Sequence, residues 1–356
     1  MSKIKILPIL STVFLSPISI LWENIYRVRR FSYNFGIFSR NEFKVPIISI
    51  GNLTFGGTGK TPFTLWLSDY LYGLDKKVMI LTRGYKGKLE HKSGILKSDR
   101  RLGYNPMLYG DEPMLLARRL TNASIVVGKN RSENLKHYFE SEKPDVVLLD
   151  DGHQHSKLAR NVNIVLFDSL MSLQRYKVAP KGYMREGFSA LKDADLVVLG
   201  RCDQASSEQK EKLKKMILEY NPRIPFAEIS YLPTGLFDSN YEKALELDQI
   251  ANQNVICIAG IASPGSFYNS IENLGAKIVH KETFPDHHYF TTEEIDRLIQ
   301  LAKKENAIII TTEKDIVKIR KISDASEIYY LEIKVNFMNG KEQTQEIISK
   351  AFLSAR

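Results

Sequence analysis

From Ile48 to Thr61 the chain reads Ile-Ser-Ile-Gly-Asn-Leu-Thr-Phe-Gly-Gly-Thr-Gly-Lys-Thr, an apolar run that passes through glycines into a helical pattern. Gly56, Gly57 and Gly59 let backbone N–H groups converge on phosphate oxygens, and Lys60 adds a point charge beside them. Thr54, Gly56, Gly57, Thr58, Gly59, Lys60 and Thr61 are therefore the candidate nucleotide-phosphate residues, with the Thr61 hydroxyl suited to Mg2+. The usual loop pattern has glycine where this chain has Thr54. Downstream, Val146-Val-Leu-Leu-Asp-Asp151 is an apolar strand ending in two carboxylates. At the edge of a parallel sheet Asp150 would be the metal-side acid, and Asp151 would position water or the nucleophile's hydrogen bonds. An Asp pair at a strand end also fits a turn or helix cap.

Other short strings carry chemistry with a plain structural alternative beside it. Asp111 and Glu112 precede Pro113 and an apolar helix, which suits either a base or an N-cap. His287 and His288 suit a proton relay or a surface loop; zinc is disfavoured because no i, i+4 histidine pair or thiolate accompanies them. Lys314 and Asp315 follow a strand and fit either a nucleotide-base contact or a helix cap.

These residues need a scaffold that brings loop ends together. After Arg40 the chain alternates β-branched runs with helical patterns, as in a parallel sheet wrapped by helices. Strands are expected at Val45–Ile50, Val78–Thr82, Ile125–Val127, Val146–Asp150, Ile164–Asp168 and Leu196–Gly200, and Phe63, Trp66, Leu67, Tyr70 and Leu71 recur at helical spacing after the glycine loop. A second, smaller α/β set is expected, with strands at Val255–Ala259, Ala276–Val279, Ala307–Thr311 and Ile328–Leu331. The implied division is 1–40 as a membrane-associated amphipathic helix, 41–232 as a P-loop domain, 233–254 as a linker and 255–356 as a smaller α/β domain.

At the amino terminus, Ile6 to Trp22 is uncharged, but it is short of the ~20 residues of a spanning helix and interrupted by Pro8 and Pro17. Lys5, Thr12, Ser16, Ser19, Glu23, Arg27 and Arg30 share one helical face, and Leu7, Leu10, Phe14, Ile18, Leu21 and Ile25 the other. An interfacial helix with Arg27, Arg29 and Arg30 near lipid headgroups accounts for this better than a span or a signal peptide.

Composition sets the outer bounds. The 356 residues are 43% hydrophobic and 26% charged, which excludes disordered and collagen-like classes. Two cysteines, Cys202 and Cys257, are too few for a thiolate metal site and fit a reducing compartment. The net charge of +9 is concentrated in residues 1–44 and 81–101. The run from Arg83 to Arg101 suits either a solvated loop or a surface for lipid headgroups and a substrate phosphate. No nucleic-acid reading motif accompanies it, and no protein partner is inferred.

Arg83-Gly-Tyr85, Gly110-Asp-Glu-Pro113, Asp150-Asp-Gly-His-Gln-His155, Arg185-Glu186, Phe284-Pro-Asp-His-His288 and Thr311-Thr-Glu-Lys-Asp315 occur in one order around the phosphate loop. This ordered set resembles the tetraacyldisaccharide 4′-kinase family, from about Val45 to Lys318. The resemblance implies a P-loop kinase using ATP and Mg2+, which phosphorylates the 4′-hydroxyl of a tetraacylated glucosamine disaccharide 1-phosphate. It also implies a peripheral or monotopic location on the cytoplasmic face of the inner membrane. By motif matching Asp111 is the base and His287 its partner, expected to meet only on domain closure. Arg83, Tyr85, Arg131, Gln154, His155, Arg185 and Glu186 match further functional positions. The chain departs from the family pattern at His153, commonly Phe, and at Tyr183-Met184, commonly Pro-Leu. A partition-type switch ATPase is the rival by loop similarity, but it needs a lysine where this chain has Phe55. A metallochaperone GTPase would need a metal-ligand cluster and an Asn-Lys-x-Asp string, and neither is evident.

Overall fold

The structure, a computed structural model, describes residues 6–98, 105–320, 322 and 327–353, with side chains from Leu15 onward. In chain order the elements are α1 (Ile6–Asn34), β1 (Ile47–Asn52), α2 (Lys60–Gly73), β2 (Val78–Thr82), β3 (Gly94–Lys97), α3 (Pro106–Tyr109), α4 (Asp111–Arg119), β4 (Ala123–Val127), α5 (Arg131–Glu142) and β5 (Val146–Asp150). There follow β6 (Val162–Asp168), β7 (Leu196–Gly200), α6 (Ser207–Leu218), β8 (Phe226–Phe237), β9 (Lys243–Leu245), β10 (Asn254–Ala259) and α7 (Pro264–Asn273). The chain ends with β11 (Lys277–Thr283), α8 (Thr292–Glu305), β12 (Ile308–Thr312), α9 (Glu313–Ile319), β13 (Ile328–Asn339) and α10 (Lys341–Leu353). Contacts divide it into two compact units: Met1–Lys60, Lys143–Ser230 and Phe337–Arg356 make one, Thr61–Glu142 and Tyr231–Asn336 the other.

In the first unit β8, β7, β6, β1 and β5 lie side by side in that order, each neighbouring pair parallel. Strands β1, β5, β6 and β7 are buried along their whole length, which is why they read as continuous apolar runs without alternation. The register sets Ile50 opposite both Asp150 and Ile164, so the segments leaving β1, β5 and β6 emerge at one carboxyl edge.

Helix α1 belongs to this unit and runs unbroken through Pro17. Ser19 is buried and Glu23, Tyr26 and Arg30 are partly covered, a spacing that marks one inward face. Ile18, Leu21, Ile25 and Val28 are more than half exposed, at 51, 63, 56 and 64%. The amphipathic pattern is thus inverted relative to a soluble helix, with its polar side toward protein and its apolar side outward. Arg30, expected among headgroups, is instead an inward ion pair, while Arg27 and Arg29 are exposed. Lys5 lies outside the described residues, and the side chains of Leu7, Leu10, Thr12 and Phe14 lie outside the described ones. No helix among the described residues is long and apolar enough to cross a membrane.

The second unit pairs β2 parallel and β3 antiparallel with β4, and aligns β11, β10, β12 and β13 in parallel. Ile256, Ile258, Leu298, Ile309 and Tyr330 pack one apolar cluster around β10 and β12, with Phe267, Ile271 and Ile310 in another. Helix α4 packs on α9, which brings residues far apart in sequence into contact. The chain is α/β, with a P-loop type parallel sheet flanked by helices and a further α/β set around β10 and β12. Residues 233–254, read as a polar linker, carry the end of β8, all of β9 and a 3-10 turn at Leu247–Ile250. Pro233 inside β8 and the half-buried faces of both strands hide their period in the sequence.

Candidate active site

Strand β1 delivers the chain to the glycine loop at Asn52. Gly51 is required there by close approach, since a Cβ would lie 2.6 Å from the His153 Cβ. Gly56 and Gly59 take φ of +95° and +85°, values that turn successive amides toward one side at little cost for glycine. Thr54 stands where glycine is usual because the chain is extended at that point. It bridges Met184, with Phe55 N–H donating to Tyr183 O at 2.7 Å and Arg185 N–H to Leu53 O at 2.6 Å. Lys60 opens α2, and its Nζ sits 3.2 Å from Asp151 Oδ1. Thr61 follows it in the first turn, partly buried.

The acidic pair divides its work. Asp150 ends β5 at 3% exposure, and Asp151 turns away with φ of +50° to meet both Lys60 and Arg185, the latter at 2.8 Å. Neither behaves as a helix cap, because no helix starts there. Gln154 donates to Asn52 O at 2.9 Å, and the His155 amide closes a turn on Gly152. Several buried polar atoms here have no hydrogen-bond partner among the described residues: Asn52 Oδ1, Thr54 Oγ1, Gln154 Oε1, Arg185 Nε and Glu186 Oε1. A buried polar atom left unmatched costs ~1–3 kcal/mol, so such a cluster marks a place built for a polar ligand. The donors of this unit fit a polyphosphate: glycine-loop amides, the Lys60 ammonium and the Arg185 guanidinium, while Asp150 brings a carboxylate of the kind Mg2+ takes.

Three arginines of this unit were not singled out for the site. Arg201 follows β7 with φ of +58°, pairs with Asp168 at 2.8 Å and donates to Gly57 O of the loop at 3.2 Å. Its signal was its place at the end of a parallel strand. Arg160 donates to Gly152 O at 2.8 Å, and burial with Arg30 and Arg40 nearby pulls its pKa down to about 10. Arg30, read as a headgroup contact, holds Glu186 at 2.7 Å.

In the second unit the sequence-predicted base and its partner are bonded: Asp111 Oδ2 lies 2.9 Å from His287 Nδ1. Both belong to one compact unit, so the pair does not await a closure between domains. Nor is Asp111 the N-cap, since Gly110 holds that position. Lys314 Nζ lies 3.2 Å from His287 Nε2 and also meets Glu112 and Asp286. An ammonium only donates, so Nε2 accepts, and Nδ1 carries the hydrogen that is given to Asp111. Burial would raise the Asp111 pKa, but the His287 hydrogen bond and the charges of Lys314 and Lys318 hold it far below the usual carboxylate range. Thr312, not Lys314 or Asp315, is the N-cap of α9; Lys314 is turned toward His287, Glu112 and Asp286, and Asp315 accepts from Gly260 N–H at 2.8 Å.

Tyr85 meets the His287 ring edge to face at 5.1 Å, and Tyr289 donates to Lys86 O at 3.2 Å. With Lys86, Pro106 and Lys318 these aromatic rings line a depression over Asp111 and His287. Arg83 bonds Glu90 at 2.6 Å beside Tyr85, and Arg131 is buried in the first turn of α5. His288 diverges to Glu294 at 3.0 Å. The basic run is partly spent inside the unit, with Arg83 on Glu90 and Lys97 on Glu142, while Asp99, Arg100 and Arg101 lie outside the described residues.

A family model described as tetraacyldisaccharide-1-P 4′-kinase matches residues 11–353. The tetraacyldisaccharide 4′-kinase of Desulfotalea psychrophila is 34% identical over 317 residues, covering 88% of this chain and 89% of that one. That of Halothermothrix orenii is 31% identical over 349 residues, covering 92% and 90%. LpxK from Aquifex aeolicus, solved in complex with ATP, superposes with a TM-score of 0.73 at 30% identity, covering 94% of this chain and 98% of that structure. Sequence and fold agree over nearly the full length, and the chain belongs to the tetraacyldisaccharide 4′-kinase family of phosphotransferases.

Proposed function

We propose that this kinase transfers the γ-phosphoryl group of ATP to the 4′-hydroxyl of a tetraacylated glucosamine disaccharide 1-phosphate, at the cytoplasmic face of the inner membrane. The loop from Thr54 to Thr61 holds the phosphates through its amides, with Lys60 leaving Asp151 to meet the transferring group. Arg185 adds a second cation beside it. Mg2+, held by Thr61 and Asp150, would neutralise charge on the phosphate oxygens. Asp111 accepts the hydrogen bond of the acceptor alcohol and takes its proton as the new O–P bond forms and the bond from the γ-phosphorus to the bridging oxygen breaks, releasing ADP. With so acidic a carboxylate and a loose transition state, orientation precedes proton transfer: His287 fixes the carboxylate through one hydrogen bond, leaving lone pairs for the alcohol. Tyr85, Arg83, Arg131, Gln154, His155 and Glu186 are assigned to the acceptor's sugars and phosphate.

The observation that carries this reading is the bonded Asp111–His287 pair, a positioned acceptor for a weakly acidic alcohol that a nucleotide switch has no need of. The outward apolar face of α1 supports attachment to lipid, where an acylated acceptor resides. The test is direct: purified protein, labelled ATP, Mg2+ and the acylated disaccharide monophosphate should yield a bisphosphorylated glycolipid. Phosphate release without acceptor, and none transferred to it, would overturn the reading in favour of a switch ATPase.

A further inference from the structure

The inward face of α1 grips the segment that carries Arg185 and Glu186. Ser19 Oγ accepts from Lys181 N–H at 3.2 Å, and Trp22 Nε1 donates to Arg185 O at 3.0 Å. Glu23 lies so near Gly187 that a Cβ there would sit 2.4 Å from its carboxylate. Two turns beyond the last of these, the Arg30 fork donates through Nη2 to Glu186 Oε2 at 2.7 Å and through Nη1 to Asp193. Nη2 also lies 3.3 Å from His153 Nε2. Arginine cannot accept, so His153 accepts there as a neutral ring, a contact that the phenylalanine common at this position could not make. Glu186 is 3% exposed, one oxygen engaged by Arg30 and the other, Oε1, buried with no hydrogen-bond partner among the described residues.

We propose that Arg30 is a positioning residue for acceptor binding: its two-pronged hold on Glu186 and Asp193 fixes the Glu186 carboxylate so that Oε1 receives a sugar hydroxyl. The helix that meets lipid thereby also sets the acceptor site. The same segment pairs with the phosphate loop through Met184 and Arg185, whereas the two ion pairs of Arg30 fall on Glu186 and Asp193, and it reaches toward the loop only through its longer contact with His153. Loss of Arg30 therefore acts on the acceptor and spares the donor nucleotide. The proposal rests on the assignment of Glu186 to the acceptor sugars, and the experiment separates the two.

The experiment measures acceptor and ATP KM, kcat and vesicle co-sedimentation for the full chain and for R30M, R30K, E186Q and R30M/E186Q. The expected result for R30M is an acceptor KM raised about tenfold, the loss of one charge-assisted hydrogen bond, with ATP KM and co-sedimentation unchanged. R30K keeps the charge but not the fork, so it should fold and show a smaller rise of about threefold. The double variant should be no worse than E186Q alone, because both changes remove one interaction. Unchanged acceptor KM in R30K and in R30M overturns the proposal, as does an R30M effect that adds in full to E186Q or falls equally on ATP. A wild-type acceptor KM in E186Q overturns instead the assignment of Glu186.

Discussion

The two clusters of the molecule are built on opposite plans. Around the glycine loop the main-chain amides are turned by positive-φ glycines, and buried polar atoms at Asn52, Thr54, Gln154 and Arg185 have no hydrogen-bond partner among the described residues. Around Asp111 the groups already answer one another: His287 to Asp111, Lys314 to His287, Lys318 to Asp315. The first cluster keeps polar atoms of both kinds, acceptors at Asn52 and Gln154 and a donor at Arg185, for a ligand to meet, and a ligand that binds the folded state there would add stability. In the second the charged groups are paired with one another, so what it offers is a fixed direction for one hydrogen bond. A kinase needs both, since phosphate must be held by groups that change little while the alcohol is aimed.

The sharpest way to break this contrast is Asp111→Asn. The amide keeps the shape of the carboxylate but cannot take a proton, so kcat should fall about 10²- to 10⁴-fold while ATP KM stays near wild type. Steady-state kinetics at saturating acceptor checks it, and full turnover would remove Asp111 from the reaction. Lys60→Ala attacks the other plan. Removing a cation that stabilises the transferring group should cost about 10² in kcat/KM for ATP, and here nucleotide affinity should suffer too. If both variants left ATP affinity equally intact, the assignment of phosphate holding to the loop would fail.

The contrast also decides what could be read from the sequence. The loop was legible because its parts are consecutive: strand, glycines, lysine and helix occupy Ile48 to Thr61, and each has a local reason for its residue type. Burial of whole strands made β1, β5 and β7 equally legible. The Asp111 cluster draws on segments near residues 85, 111, 287 and 314, and no periodicity links them. Only the ordered motif pattern pointed to Asp111 and His287, and the link to Lys314 needed the packing of α9 on α4. Arg30 was misread for the same reason: the helical wheel gave its face correctly, but only Glu186 and Asp193, more than 150 residues away, show that this face turns inward.

A third test concerns the outward face of α1. Replacing Ile18, Leu21, Ile25 and Val28 with glutamine leaves Ser19, Trp22, Glu23 and Arg30 in place, so the inward contacts persist. At ~0.8 kcal/mol per buried CH2, one such group withdrawn from lipid at each of the four positions should weaken binding to anionic vesicles about 10²-fold, read by co-sedimentation. Activity on a short-chain soluble acceptor should change little. Unaltered co-sedimentation would place attachment elsewhere on the chain.

The smallest effect expected is the most specific to the second plan. Lys314 fixes His287 from the far side of the ring, so Lys314→Met removes the donor to Nε2 and frees the ring to turn or change tautomer. It also removes one of the cations that hold Asp111 strongly acidic, which makes the carboxylate a better base but a less well aimed one. The two consequences oppose each other in kcat, and a net loss of only about tenfold is expected where orientation dominates. A stability measurement distinguishes them from simple damage. A carboxylate whose folded pKa is depressed contributes stability above its unfolded value near ~4, and that contribution fades as pH falls toward the folded value. In Lys314→Met the depression is smaller, so denaturant unfolding should show a weaker loss of stability between pH 5 and 3 than wild type, in the region governed by this carboxylate. A tenfold fall in kcat with an unchanged acid dependence of unfolding would mean that Lys314 acts on His287 alone, and that the acidity of Asp111 is owed to His287 and Lys318.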